Sequence, residues 1–241
     1  MKFIVPSRGD SPRSHLPIAI IIDKSESTKD IRDLLNKCIV NAVNEMKKEA
    51  LFKNTVDLLV IHYSSEHEVV IDFEPLENVY PANLVIKESS GFTHTGGALL
   101  YVLQRLDEKK IEWKSRGEKY YQPLVFLLTD GYPDAGVGAP KKVAEFVEDA
   151  YISAASDIKK RECDNKIVFI AAGIEQKNGV GADMKRLSEL SNYPERVLKI
   201  NEASSINGIE NFFDLIYEST NATFTNTPVD DVINHIFFDN E

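Results

Sequence analysis

Hydrophobic positions along the chain follow two rhythms. Residues 16–22, 124–128 and 166–172 are short apolar runs without polar alternation, the pattern of strands covered on both faces. Residues 56–63 and 67–73 form two further strands with only Ser64, Ser65 and Glu66 between them, which predicts a hairpin. Residues 196–200 make a last short strand. The other rhythm is helical. Ile31, Leu34, Leu35, Cys38, Ile39, Ala42, Val43 and Met46 recur at three- and four-residue steps, predicting a helix over 30–50 with Thr28 near its N-cap. Further helices are expected at 97–106, 141–160, 183–191 and 205–218. Charged residues 107–119 read as a helix end plus a surface loop.

Helices thus separate most of the strands, which implies parallel pairing through right-handed crossovers. The expected fold is α/β: a three-layer, doubly wound, mostly parallel sheet of the Rossmann-like kind, with the hairpin supplying one antiparallel edge strand. Residues 1–15 read as a leader, 16–220 as one domain and 221–241 as a tail whose apolar cluster, 232–238, docks on the domain or on a partner. Glu66 and Glu68 place charge on the edge strand, a pattern that discourages edge-to-edge aggregation.

Composition narrows the function. The formal net charge is −10, from 28 basic and 38 acidic residues, which argues against nucleic-acid or anionic-membrane binding. The apolar runs fall short of the roughly 18 residues of a membrane span. Cys38 and Cys163 are unpatterned, and the first residues do not resemble a signal peptide; both point to a reducing cytoplasm. In that setting the sequon at Asn221 carries no meaning.

Ligands of doubly wound sheets sit beyond the carboxyl ends of the strands, and three polar clusters fall there: Asp23, Ser25 and Ser27; residues 91–96 with Thr93, His94 and Thr95; and Thr129-Asp130-Gly131. Alternate residues leaving a strand point the same way, so Asp23, Ser25 and Ser27 face one point. Two carboxylates and several hydroxyls form an oxygen-only set suited to a hard cation, magnesium or else manganese or calcium. A helix-capping loop is the competing reading of Asp23, Ser25 and Ser27. Thr95 competes with Thr93 for the metal, or else caps the helix that follows. His94 is read as a surface side chain at the mouth of the site, and His62 and His67 as structural or solvated.

DKSES, GFTHTGG and LLTDG, in this order, resemble the metal-ion-dependent adhesion site of von Willebrand factor type A domains over roughly residues 16–200. The resemblance implies Asp23, Ser25, Ser27, Thr93 and Asp130 as metal ligands. Thr95, Asp134 and Glu26 are then candidates for supporting positions around them. It implies an adaptor, not an enzyme, whose cation captures a carboxylate from a protein partner. The stretch YYQPLVFLLTDGYPD resembles bacterial stand-alone members of the TerY type, associated with tellurium resistance and stress operons, often beside a protein kinase and a phosphatase. Lys24 and Glu26 depart from the family pattern and place charge beside the ion. The competing functions are a phosphotransferase or phosphatase with Asp23 as nucleophile, and nucleotide binding. Ser25 stands where the first would have a second aspartate, and no phosphate-binding glycine motif supports the second.

Overall fold

A computed structural model of the chain describes residues 13–131, 135–136, 138–175, 181–201 and 205–238. Its strands are β1 (Ser14–Asp23), β2 (Val56–Tyr63), β3 (His67–Pro75), β4 (Lys119–Tyr120), β5 (Leu124–Thr129), β6 (Val168–Ile174) and β7 (Val197–Ile200). Its helices are α1 (Arg32–Met46), α2 (Ala50–Thr55), α3 (Thr95–Ser115), α4 (Lys141–Cys163), α5 (Met184–Ser188), α6 (Ser205–Thr225) and α7 (Val229–Phe237).

The strands form one sheet in the order β3-β2-β1-β5-β6-β7, with β4 pairing against the start of β1. Pairings are parallel except for β2 with β3, so the hairpin places its second strand at the edge, as expected. Alternate residues of each central strand feed two cores. Ile18, Ile20, Ile22, Phe126 and Leu128 meet α1, α6 and α7 on one face, whereas Ala19, Ile21, Val125, Leu127 and Phe169 meet α3, α4 and α5 on the other. Burial on both faces is why these strands read as unbroken apolar runs.

Several boundaries differ from the periodic reading. α3 continues to Ser115 because its charged outer face is tied together along the helix: Arg105 bonds Glu108 at 2.8 Å and Lys109 bonds Glu112 at 2.8 Å. Its inner face meanwhile buries Leu106 and Trp113. α1 starts later than expected, with Ile31 at its N-cap, and Thr28 caps nothing there. α6 runs seven residues beyond 218, and the apolar cluster after it is α7, docked through buried Ile233. Arg196 holds α7 with two bonds to Asp230, 2.7 and 2.9 Å long. Among the described residues no helix is long and apolar enough to cross a membrane.

Candidate functional site

β1 lies between β2 and β5, where chain connections diverge in opposite directions across the sheet. Its last residue is Asp23, and the chain leaves it through Ser25 into a 3-10 turn, Glu26–Asp30. Asp130 follows β5 directly, and Thr93 precedes α3. The topology therefore delivers three polar segments to one crevice.

The Asp23 carboxylate is 1% exposed and holds the centre. Its Oδ1 accepts the Ser25 amide at 2.8 Å, and its Oδ2 accepts the Thr129 hydroxyl at 2.6 Å and, longer, the Tyr63 hydroxyl at 3.4 Å. Ser25 Oγ and Ser27 Oγ share a hydrogen bond of 2.9 Å, and Ser27 Oγ donates to Asp130 Oδ1 at 2.8 Å. Thr93 joins from the third segment. A Cβ built on Gly131 would fall 2.8 Å from Thr93 Oγ1 and 3.3 Å from Asp23 Oδ2. Both oxygens thus converge on Gly131, and any side chain there would displace them.

The helix-capping alternative fails on geometry. Ser25 occupies the N-cap position of the 3-10 turn, yet no side-chain capping bond forms; its hydroxyl turns towards Ser27. Thr28 Oγ1 instead donates to the Ser25 carbonyl, 2.8 Å, and to Ser89 Oγ, 3.1 Å. The amide of Ser90 bonds the Lys24 carbonyl at 2.9 Å and that of Glu26 the Gly91 carbonyl at 3.3 Å. Residues 89–91, which lead into Thr93, are thereby stitched to the loop that carries the serines.

Thr95 does not cap α3 either, since His94 holds that position. Its hydroxyl lies 3.3 Å from Tyr63 OH, so Thr95, Tyr63 and Asp23 form a buried chain behind the serines. The Glu26 side chain points to solvent. Lys24 pairs with Glu68 at 2.6 Å, not with Glu26. Asp134 lies outside the described residues. His94 is half-buried, its ring against Gly97 and edge-on to Phe146 at 5.4 Å, rather than open at the mouth. His62 is buried, and burial pushes its pKa down to about 4, so the ring is neutral. His67 packs against the Tyr101 ring, tilted by 36° with centroids 4.3 Å apart.

The sequence reading did not assign Thr129 and Tyr63, both of which touch Asp23. Thr129 could have been found as the strand-end residue beside Asp130. Tyr63 has a weaker signal: it ends β2 in register with Asp23.

The electrostatics are unusual for so buried a place. Burial and the like charge of Asp130 push the Asp23 carboxyl up to about 6. Burial and the same carboxylate hold the Tyr63 phenol well above its ordinary range. Two repelling carboxylates with Ser25, Ser27 and Thr93 hydroxyls around them form an oxygen-only donor set, which fits a hard divalent cation. Among the described residues no group of three or more His, Cys, Asp and Glu side chains is placed to hold a metal, so the hydroxyls are integral to this one.

The family model for the von Willebrand factor type A domain matches residues 18–213. Several solved structures share the fold. A minor pilin, PilB (D319A mutant) from Streptococcus sanguinis, is 14% identical with a TM-score of 0.59, covering 89% of this chain and 64% of its own. Proximal thread matrix protein 1 from the mussel byssus, solved with a zinc-occupied metal-ion-dependent adhesion site, is 18% identical with a TM-score of 0.51, covering 85% and 48%. A von Willebrand factor type A protein from Catenulispora acidiphila is 15% identical with a TM-score of 0.53, covering 86% and 43%. The chain thus spans about half the length of several of the structures it resembles. No curated protein matches it.

Proposed function

The chain belongs to the von Willebrand factor type A family, and from that premise we propose that it is a metal-dependent protein-binding module. Asp23, Ser25, Ser27, Thr93 and Asp130 would hold a divalent cation, magnesium first and manganese or calcium as alternatives. When bound, the cation supplies a coordination position for a carboxylate from a protein partner. The convergence of two carboxylates and three hydroxyls from three chain segments carries this reading. A zinc-occupied site in a mussel protein of the same fold supports it.

The residues divide the work. Asp23 anchors the loop through the Ser25 amide, Thr129 and Tyr63 fix the orientation of its carboxylate, and the neutral hydroxyls coordinate without adding charge. With only two carboxylates in the set, a divalent ion keeps enough positive character to attract a third from outside. Ser27 is exposed, so the crevice opens to solvent on that side.

The placement we favour is a bacterial, cytoplasmic stress-response system of the tellurium-resistance type. The partner there would be a Ser/Thr kinase or phosphatase. The TerY-like stretch at residues 120–134, which contains Thr129-Asp130-Gly131, is what supports it. An aspartyl-phosphate enzyme fits less well, because Ser25 stands where such an enzyme would carry a second aspartate as general acid.

Titration calorimetry with magnesium and manganese tests the core claim. Wild type should bind one equivalent, and Asp23→Ala and Asp130→Ala should each lose at least about 100-fold in affinity. Unchanged affinity in both variants would sink the reading. A pull-down with and without EDTA then tests partner capture.

A further inference from the structure

Three large apolar side chains stand exposed on one edge of the metal crevice. Phe92 is 50% exposed, Val143 44% and Phe146 64%. Scattered apolar residues on a surface need no explanation, but these are connected. Phe92 directly precedes Thr93, and its ring lies flat against Gly136: a Cβ there would sit 2.1 Å from Phe92 Cε1. On the other side of Thr93, the His94 ring meets Phe146 edge-on. Thr93 thus turns its hydroxyl towards Asp23 and Gly131, while Phe92 before it packs on Gly136, ahead of α4, and His94 after it meets Phe146 in the first turns of α4. There all of residues 141–146 are exposed. Val143 and Phe146, three apart, share one helix face, and Lys142, four before Phe146, lies on it too.

We infer that this rim is a second half of the binding surface, and that the partner segment carries a large apolar side chain within one or two residues of its acidic one. This rests on the metal-capture reading above and specifies the partner chemistry it requires. Charge favours such a segment over other occupants. Lys142, at the positive N-terminal end of α4, complements an acidic peptide. A second copy of this chain, with formal net charge −10, and an anionic membrane would each be repelled as a whole like-charged surface, whereas a short segment brings only a few charges. His94 braces Phe146 from below and leaves its outer face open.

The test uses the full chain and fluorescently labelled octapeptides with one central Asp, followed by Phe, Leu, Ser or Gly, measured by anisotropy in magnesium and in EDTA. Phe- and Leu-flanked peptides should bind about tenfold tighter than Ser- and Gly-flanked ones. Phe146→Ala and Phe92→Ala should each remove most of that preference, with calorimetric magnesium affinity and binding of the Ser-flanked peptide unchanged. Metal-dependent binding without any preference would overturn the rim and leave metal capture standing. A preference that persists in EDTA would support the rim and overturn metal capture. No binding by any peptide would overturn both. Self-association that Phe146→Ala abolishes, seen by light scattering, would assign the rim to a second copy and overturn the peptide.

Discussion

β1 carries a buried polar centre at each end, and the two are built on opposite plans. At its start, His15 contacts the Asp57 carboxylate at 2.6 Å and Glu118 at 3.2 Å, Arg13 approaches Asp57 at 3.5 Å, and the imidazole stacks on Trp113 at 4.5 Å. There each buried carboxylate has a nitrogen partner drawn from the chain. At its end, Asp23 meets hydroxyls, an amide and the like charge of Asp130. One centre is closed electrostatically by its own side chains, while the other concentrates negative charge and, on the proposed reading, would be completed by a cation from outside. A buried carboxylate with its counter-charge in place reads as architecture, and one facing another carboxylate reads as a site.

Each end can be broken separately. The largest effect is expected at the closed end. Asp57→Asn removes the carboxylate from buried His15, costing about 3 kcal/mol in urea unfolding, with magnesium affinity unchanged. A loss of metal binding in that variant would show that the two ends are not independent.

The second experiment acts on the open end, in metal-free protein. An acid whose folded pKa lies above its unfolded one destabilises the fold as pH rises through the window between them. For Asp23 that window runs from 3.8 to about 6. Asp23→Asn should therefore gain on the order of 1 kcal/mol at pH 7.5 after its weakened hydrogen bonds are set against the removed charge. The gain should vanish by about pH 4, below the folded pKa. Wild type should recover its loss when magnesium is added, by about 2.7 kcal/mol at a hundredfold excess over Kd. A variant less stable than wild type at pH 7.5 would mean that the crevice already balances its charge.

The smallest effect concerns Lys24, which lies between the ligands in sequence but is drawn away to Glu68, an exposed partner. Lys24→Ala should change stability by less than about 0.5 kcal/mol and magnesium affinity by no more than about threefold. A larger change in affinity would place the ammonium within the electrostatic reach of the ion.

The open end was more legible in the sequence than the closed one. Asp23, Ser25 and Ser27 announce themselves because polar residues interrupt an apolar strand at a fixed period, and Thr93 and Asp130 follow other element boundaries. Thr129 stood in a named cluster without a role, and the contact from Tyr63 was hidden, because a hydroxyl at the last position of a buried strand looks like any other strand end until register places it. His15 and Asp57 gave no signal at all. They sit at the starts of strands, where nothing in local spacing shows that residues 42 apart meet. Helix extents suffered from a related blindness. The charged half of α3 looks like a loop until its ion pairs and the inward Trp113 are seen together. α7 reads as a tail with an apolar cluster of unassigned helical form until Ile233 finds α6.

The hydrogen bond between Ser27 and Asp130 spans 103 residues, and that span has a meaning for assembly. The crevice does not exist in any fragment shorter than the one ending at Asp130. While the chain emerges during synthesis, the Asp23 carboxylate can meet Ser25 and Tyr63 early but must wait for β5 before Thr129 and Asp130 join it. On the proposed reading, metal affinity would therefore report on assembly: a chain that captured the ion would already have β1 seated beside β5.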